Sequence, residues 1–278
     1  MRVRAAAALG AAAALGLTYM LFESQWLRRV EHDVAVPGLP PALDGFTVVQ
    51  LSDMHVGFAP SLNARAFRKA VDAALAAAPD LIAITGDLVT GNRGVETLRS
   101  ELRRLHAPCG VYAVLGNHDH GETHAVRVQP AELGDLSEVG VRLLTNECRT
   151  VTVGPARLQV CGIDDVRHGY ADIDRVAARV ERSPETVGLL LSHYGEGALR
   201  FAQGAFALTL SGDTHGGQIC LPFPGGRVML SDPLARFRQG FHDEDGHLVY
   251  ITRGIGTSFL PFRFFCRPEI VVFHLRRG

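Results

Sequence analysis

Five apolar runs in this chain end alike, in a glycine or serine followed by side chains able to bind metal. Phe46–Leu51 (FTVVQL) runs into Ser52-Asp53-Met54-His55, and Leu81–Thr85 (LIAIT) into Gly86-Asp87. Gly110–Leu115 (GVYAVL) runs into Gly116-Asn117-His118-Asp119. Leu189–Leu191 leads to Ser192-His193, and Ala207–Leu210 to Gly212-Asp213-Thr214-His215-Gly216-Gly217. Short runs rich in β-branched and aliphatic residues read as buried strands. Helical spacing over Asn63–Ala78 and Val95–Leu105 separates the first three. Strand, helix and strand in alternation demand parallel pairing, with helices covering the sheet. The residues after such strands gather at one edge, where open α/β sheets bind their ligands.

The texture changes after residue 140. Val141–Leu144, Arg149–Val153 and Arg157–Cys161 read as short strands, with a hairpin turn at Gly154-Pro155. Ala171–Glu181 reads as a helix, Val187–Ser192 and Phe206–Leu210 as strands, and Gln218–His274 as strands with long loops. The expected fold is α/β, a two-sheet α/β sandwich forming one domain over residues 45–278.

Composition narrows the class. The 278 residues are 47% apolar, which excludes a disordered chain. With 28 basic and 29 acidic residues there is no excess positive charge to drive nucleic-acid binding. Twelve histidines are an unusual number, and neutral imidazole is the commonest metal ligand. The five cysteines (Cys109, Cys148, Cys161, Cys220 and Cys266) form no CxxC pair, so they are expected to be buried free thiols.

Ala5–Phe22 carries no charge over eighteen residues and follows Arg2 and Arg4. That length is just enough to span a bilayer. No small-x-small cleavage site follows the run, so residues 1–25 are expected to be an N-terminal transmembrane anchor, with a cleaved export signal as the alternative. Trp26, Arg28 and Arg29 would mark the interface. Two arginines on each side leave the orientation open. Residues 26–44, including the proline-rich VAVPGLPPALD, are expected to be a linker.

Asp53, His55, Asp87, Asn117, His193, Asp213 and His215 make seven oxygen and nitrogen donors without a thiolate. That exceeds what one metal needs and suits two, with one carboxylate bridging. The mixed donor set points to manganese, with iron or zinc as alternatives. Two metals roughly 3.5–4 Å apart can generate hydroxide and clamp the oxygens of an in-line displacement at phosphorus.

The series SDMH, GDLVTG, GNHD, SHYG and GDTHGGQ, in that order, resembles the calcineurin-like metallophosphoesterases over residues 45–275. The anchor and the closing ITRGIG…PFRFFCRPEI are similar to the family's membrane-associated bacterial branch, which includes phosphodiesterases and UDP-2,3-diacylglucosamine pyrophosphate hydrolases of lipid A synthesis. The resemblance implies that Asp53, His55 and His215 hold one metal, that Asp87 bridges, and that Asn117 and His193 hold the second. It also implies that His118 faces the phosphate as a catalytic residue; Asp119 reads equally as orienting His118 or as a structural residue of the loop. The family pattern is GHxH where this chain has GDTH, so Asp213 stands in place of a histidine. A carboxylate there can ligate and adds negative charge.

His120, Arg253 and Arg263 are further candidates for substrate binding. The remaining histidines, including His124 and His168, read as ordinary packing or surface residues. Eight of the 14 phenylalanines follow residue 220. The stretch Phe259–Arg267 is both apolar and basic, and reads as core packing or as a lip touching lipid, with Arg263 and Arg267 near headgroup phosphates. The expected activity is membrane-anchored, metal-dependent hydrolysis of a phosphodiester or pyrophosphate, with a lipid-linked phosphate ester as partner and no protein partner. The alternatives are a non-catalytic binding module and a cell-envelope phosphodiesterase or phosphomonoesterase.

Overall fold

The structure, a computed structural model, describes residues 2–123, 128–223, 226–229 and 236–278. His124 lies outside them. The chain opens with helix α1 (Arg2–Glu23) and strand β1 (Arg28–Val36). Then come β2 (Thr47–Leu51), α2 (Pro60–Ala76), β3 (Leu81–Thr85), α3 (Val95–Leu102) and β4 (Val111–Val114). The second half holds β5 (Val141–Leu143), β6 (Glu147–Val153), β7 (Ala156–Gly162), α4 (Ile173–Ala177), β8 (Thr186–Leu191) and β9 (Leu208–Ser211). It closes with β10 (Cys220–Phe223), β11 (Gly226–Met229), β12 (Gly240–Glu244), β13 (His247–Ile251) and β14 (Glu269–Arg277).

Two six-stranded sheets pack face to face. One runs β1-β14-β2-β3-β4-β5 and the other β12-β13-β9-β8-β7-β6. The central strands are parallel: Val48 pairs with Leu81, Ile82 with Val111, and Leu190 with Thr209. Alternation along β2 divides its side chains. Val48 enters the layer between the sheets, beside Leu158, Leu189 and Leu208. Val49 and Leu51 face outward onto α2 and α3, against Phe67, Val71 and Leu98. A strand buried on both faces has to be apolar throughout, which is why these runs were legible. β6 and β7 form the expected hairpin, with Val153 opposite Ala156 across Gly154-Pro155.

Two expectations are corrected. The linker assigned to residues 26–44 does not hold, because Arg28–Val36 is an edge strand paired in parallel with β14. Its alternating exposed and buried positions are those of a half-covered strand. The cysteines are not all free thiols: Cys148 and Cys161 are disulfide-bonded. They lie 13 residues apart, but the hairpin sets them opposite one another. Register rather than spacing creates the pair.

Candidate metal centre

Every ligand-type residue lies just past the carboxyl end of a strand, as expected. Asp53, His55, Asp87, Asp213 and His215 all have positive φ, between 44° and 71°. Such backbone costs about 1–3 kcal/mol per non-glycine residue and persists where surrounding contacts enforce it. The contacts here are ties between turns. Asp53 N–H donates to Gly86 O and His55 N–H to Asp87 O, both at 3.0 Å. Asp213 N–H donates to Asp53 Oδ1 at 3.1 Å, and His118 N–H to Asp87 Oδ1 at 2.9 Å. Glycine is required at Gly116 and Gly212, because a Cβ would collide with the Asp87 carboxylate at the first and with Ser52 and the Asp53 carboxylate at the second.

The donor atoms form a continuous run. His215 Nε2 is 3.6 Å from Asp53 Oδ1 and 2.9 Å from His55 Nε2. His55 Nε2 is 3.3 Å from Asp87 Oδ2, which is 3.4 Å from His193 Nε2. His193 Nε2 is 3.9 Å from Asp213 Oδ1. Asp87 therefore sits between two groups of donors. Asp53, His55, Asp87 and His215 are buried and offer atoms all within 4.8 Å of one another. The Asn117 amide nitrogen is engaged by Glu122 O, which leaves its carbonyl oxygen for ligation.

These residues fit bound cations. Asp53 Oδ2 and His193 Nε2 are buried without a hydrogen-bond partner, a costly state that a metal would relieve. Burial pushes the Asp53 carboxyl up to about 7 and Asp213 up to about 6, with neighbouring carboxylates adding to the shift. Burial and nearby positive groups push His55 down to about 3 and hold His215 well below its ordinary value. Asp53, Asp213, His55 and His215 are thus shifted towards their neutral forms, whereas Asp87 is held well below the usual carboxylate range by His193, His118 and His55 against the cost of its burial.

A cavity of about 260 Å³ opens onto this cluster, lined among others by Asp87, His118, Asp213, Arg167, His168 and Phe259. A larger cavity, about 850 Å³, lies at the opposite end of the parallel strands between Val36 and Phe206, and no histidine or cysteine lines it.

Four of the sequence-predicted site residues are placed elsewhere than expected. Asp119 does not orient His118, because its carboxylate accepts the N–H groups of Leu88, Val89 and Gly116 and so braces the loop. Arg253 does not face the cluster; it lies 3.5 Å from Glu269 and lines a separate cavity with Arg28 and Tyr250. Arg263 is wholly buried, so it meets no headgroup. His120 donor–acceptor contact is with Asp164, at 2.6 Å, and its ring stacks on Tyr170 at 3.9 Å.

Burial opposes the charged form of His120, but the hydrogen bond and charge of Asp164 outweigh it and raise its pKa. A raised imidazole stabilises the fold fully below its unfolded pKa of about 6.5, and that contribution fades as pH climbs through the folded value. His120→Gln is expected to flatten the fall in stability over this window, read from denaturation midpoints between about pH 5 and 9.

Three contributors were missed from sequence. Thr90 Oγ1 lies 3.0 Å from His55 Nδ1 and 3.3 Å from His118 Nδ1. Arg167 Nη1 lies 3.3 Å from Asp213 Oδ2, its guanidinium 4.0 Å over the Tyr194 ring. His168, read as ordinary, lines the cavity with Nδ1 on Asp165 at 2.7 Å. The strand-end pattern that found the other ligands also holds after β7, where Ile163-Asp164-Asp165 leads to Arg167 and His168.

Comparison with known proteins adds three relatives and a family. Residues 46–217 match the calcineurin-like phosphoesterase profile. The chain is 30% identical to YkuE, an uncharacterized metallophosphoesterase of Bacillus subtilis, over 98% of this chain and 93% of that one. It is 30% identical to a transmembrane protein with a metallophosphoesterase domain from Danio rerio, over 90% of this chain and 57% of that one. It is 26% identical to the UDP-2,3-diacylglucosamine pyrophosphatase LpxG of Chlamydia trachomatis, over 82% and 83% of the two chains.

Proposed function

This chain belongs to the calcineurin-like phosphoesterase family and is a metal-dependent phosphoric ester hydrolase; from that premise we propose that it is membrane-anchored, holds two metals and cleaves a lipid-linked phosphodiester or pyrophosphate. The observation that carries the two-metal reading is the placement of Asp87 Oδ2 between His55 and His193, at 3.3 and 3.4 Å. In this reading Asp53, His55 and His215 would hold one metal, Asn117, His193 and Asp213 the second, and Asp87 would serve both. The oxygen and imidazole donors suit manganese first, then iron or zinc. Divalent metals there would supply Lewis acidity, lowering the pKa of water and offsetting charge on phosphoryl oxygens.

The chain's own residues set the proton inventory. His55 turns Nε2 towards the cluster, so its proton sits on Nδ1 and is donated to Thr90 Oγ1. Thr90 in turn donates its hydroxyl hydrogen bond to His118 Nδ1. With Nδ1 accepting, His118 carries its proton on Nε2 and can donate a hydrogen bond from there to a phosphoryl or departing oxygen as charge develops on it. Arg167 holds Asp213 Oδ2, which leaves Oδ1 turned towards His193.

Anchoring rests on α1. Its window Ala6–Glu23 is 18 residues long, apolar, and 6% buried. UDP-2,3-diacylglucosamine, the substrate named for LpxG, is the first we propose for this chain. A second reading, a cell-envelope phosphodiesterase or phosphomonoesterase, is favoured by the Cys148–Cys161 bond, since disulfides persist in oxidising compartments.

The test uses the full chain, stripped with chelator and reloaded separately with Mn²⁺, Fe²⁺ or Zn²⁺. Two metals per chain are expected, with hydrolysis of bis(4-nitrophenyl) phosphate and release of UMP from UDP-2,3-diacylglucosamine. Fewer than about one metal per chain, with no diester hydrolysis, would overturn the two-metal reading. Diester hydrolysis without UMP release would favour the envelope reading.

A further inference from the structure

We propose that α1 and the loop 258–267 form one rigid unit that sets the mouth of the metal cavity into the bilayer interface, so that an amphiphilic phosphate ester reaches the site directly from lipid. The proposal rests on the anchoring reading of α1. The loop is fastened to the last turns of the helix rather than to its exposed end. Arg263 N–H donates to Met20 O at 3.2 Å. The buried Glu23 carboxylate accepts the N–H groups of Phe265 and Cys266, at 2.9 and 2.6 Å. The Tyr19 ring meets the rings of Phe264 and Phe265 at 6.1 and 6.4 Å.

These contacts fix depth. Tyr19 to Glu23 is roughly 6 Å of helix at 1.5 Å per residue, all inside the apolar window. If α1 spans, the loop beside those residues lies at the same level. That is the depth, about 5–10 Å, at which interfacial apolar groups insert. Its outward residues match that environment: Phe259, Leu260 and Phe265 are 53%, 44% and 37% exposed. Phe259 and Phe265 are held at φ 61° and 50°, unusual for bulky residues, so their outward display is enforced. Arg267 stacks over Trp26 at 3.8 Å, an arrangement suited to a headgroup level.

The same loop is a wall of the site. Phe259 lines the cavity, its ring edge-on to His118 at 6.2 Å. Arg167 and His168 line the same cavity. A ligand with phosphate at the cluster would lay an apolar chain over Phe259 and Leu260 and turn its polar head towards Arg167.

Fluorescence quenching in vesicles tests this. The full chain is reconstituted in phosphatidylcholine with brominated or unbrominated acyl chains. Trp26 is the sole native tryptophan and reports the anchor. Phe259→Trp and, separately, Leu260→Trp, each combined with Trp26→Phe, report the loop. Brominated lipid is expected to lower emission at least twofold in wild type and in at least one loop reporter, with iodide in the water having little effect. Quenching of Trp26 with both loop reporters sensitive only to iodide would overturn the proposal and leave anchoring standing. No quenching of Trp26 would overturn the anchoring reading, and the proposal with it.

Discussion

Asp87→Ala is expected to reduce bound metal from two ions per chain to at most one and to lower kcat/KM on an aryl phosphodiester at least a thousandfold. A thousandfold is about 4 kcal/mol at 1.36 kcal/mol per decade. The effect should exceed that of any other single ligand, because Asp87 Oδ2 alone lies within 3.4 Å of imidazoles on both sides of the cluster. Asp87 also accepts His118 N–H, so its loss frees the loop that carries His118, the proposed hydrogen-bond donor to the substrate. Metal analysis and turnover on the same sample check the result. Burial opposes ionisation of Asp87, but His193, His118 and His55 hold it well below the usual carboxylate range. Unchanged metal content and turnover would mean that catalysis lies elsewhere.

The second large effect is expected on stability. Arg263 has no exposed surface, and its guanidinium donates to Arg253 O at 2.8 Å, His215 O at 3.2 Å, Cys266 O at 3.3 Å and Gly256 O at 3.1 Å. Arg263→Ala would take this donor from all four carbonyls, of which His215 O keeps the Gln218 N–H, and open a cavity between the 258–267 loop and the His215 turn. The expected loss is about 3–4 kcal/mol. For a domain of this size that is roughly a 10 °C fall in Tm. Nη2 also lies 3.3 Å from His215 Nδ1, so metal affinity should fall with stability. A Tm fall below about 2 °C would show that the loop holds itself without the arginine.

How far the site could be read in advance depended on the kind of interaction. Asp53, His55, Asp87, His193, Asp213 and His215 were legible as candidates because each follows an apolar run closely, and parallel strands deliver such positions to one edge. Asp119 stayed open between orienting His118 and bracing the loop because it sits beside His118 in sequence; only the fold shows its carboxylate turned back to three backbone N–H groups. Arg263 misled because a basic residue among phenylalanines reads as surface, and only the closed loop shows carbonyls converging on it. Thr90 gave no signal, since its role exists only where the turns after β2 and β4 bring His55 and His118 to either side of one hydroxyl.

The local pattern alone therefore determined the α/β class, the parallel pairing of the central strands, the hairpin at Gly154-Pro155 and the strand-end positions of the candidate donors. Each is written in hydrophobic period or in residues adjacent along the chain. Tertiary structure decided the rest. The pairing of Cys148 with Cys161 depends on hairpin register. The capture of residues 28–36 depends on β14, more than two hundred residues away. The docking of α1 on the 258–267 loop depends on Glu23 meeting N–H groups left open by that loop. Partners so distant in sequence leave no periodic trace, because each side of the contact satisfies its local rules without the other.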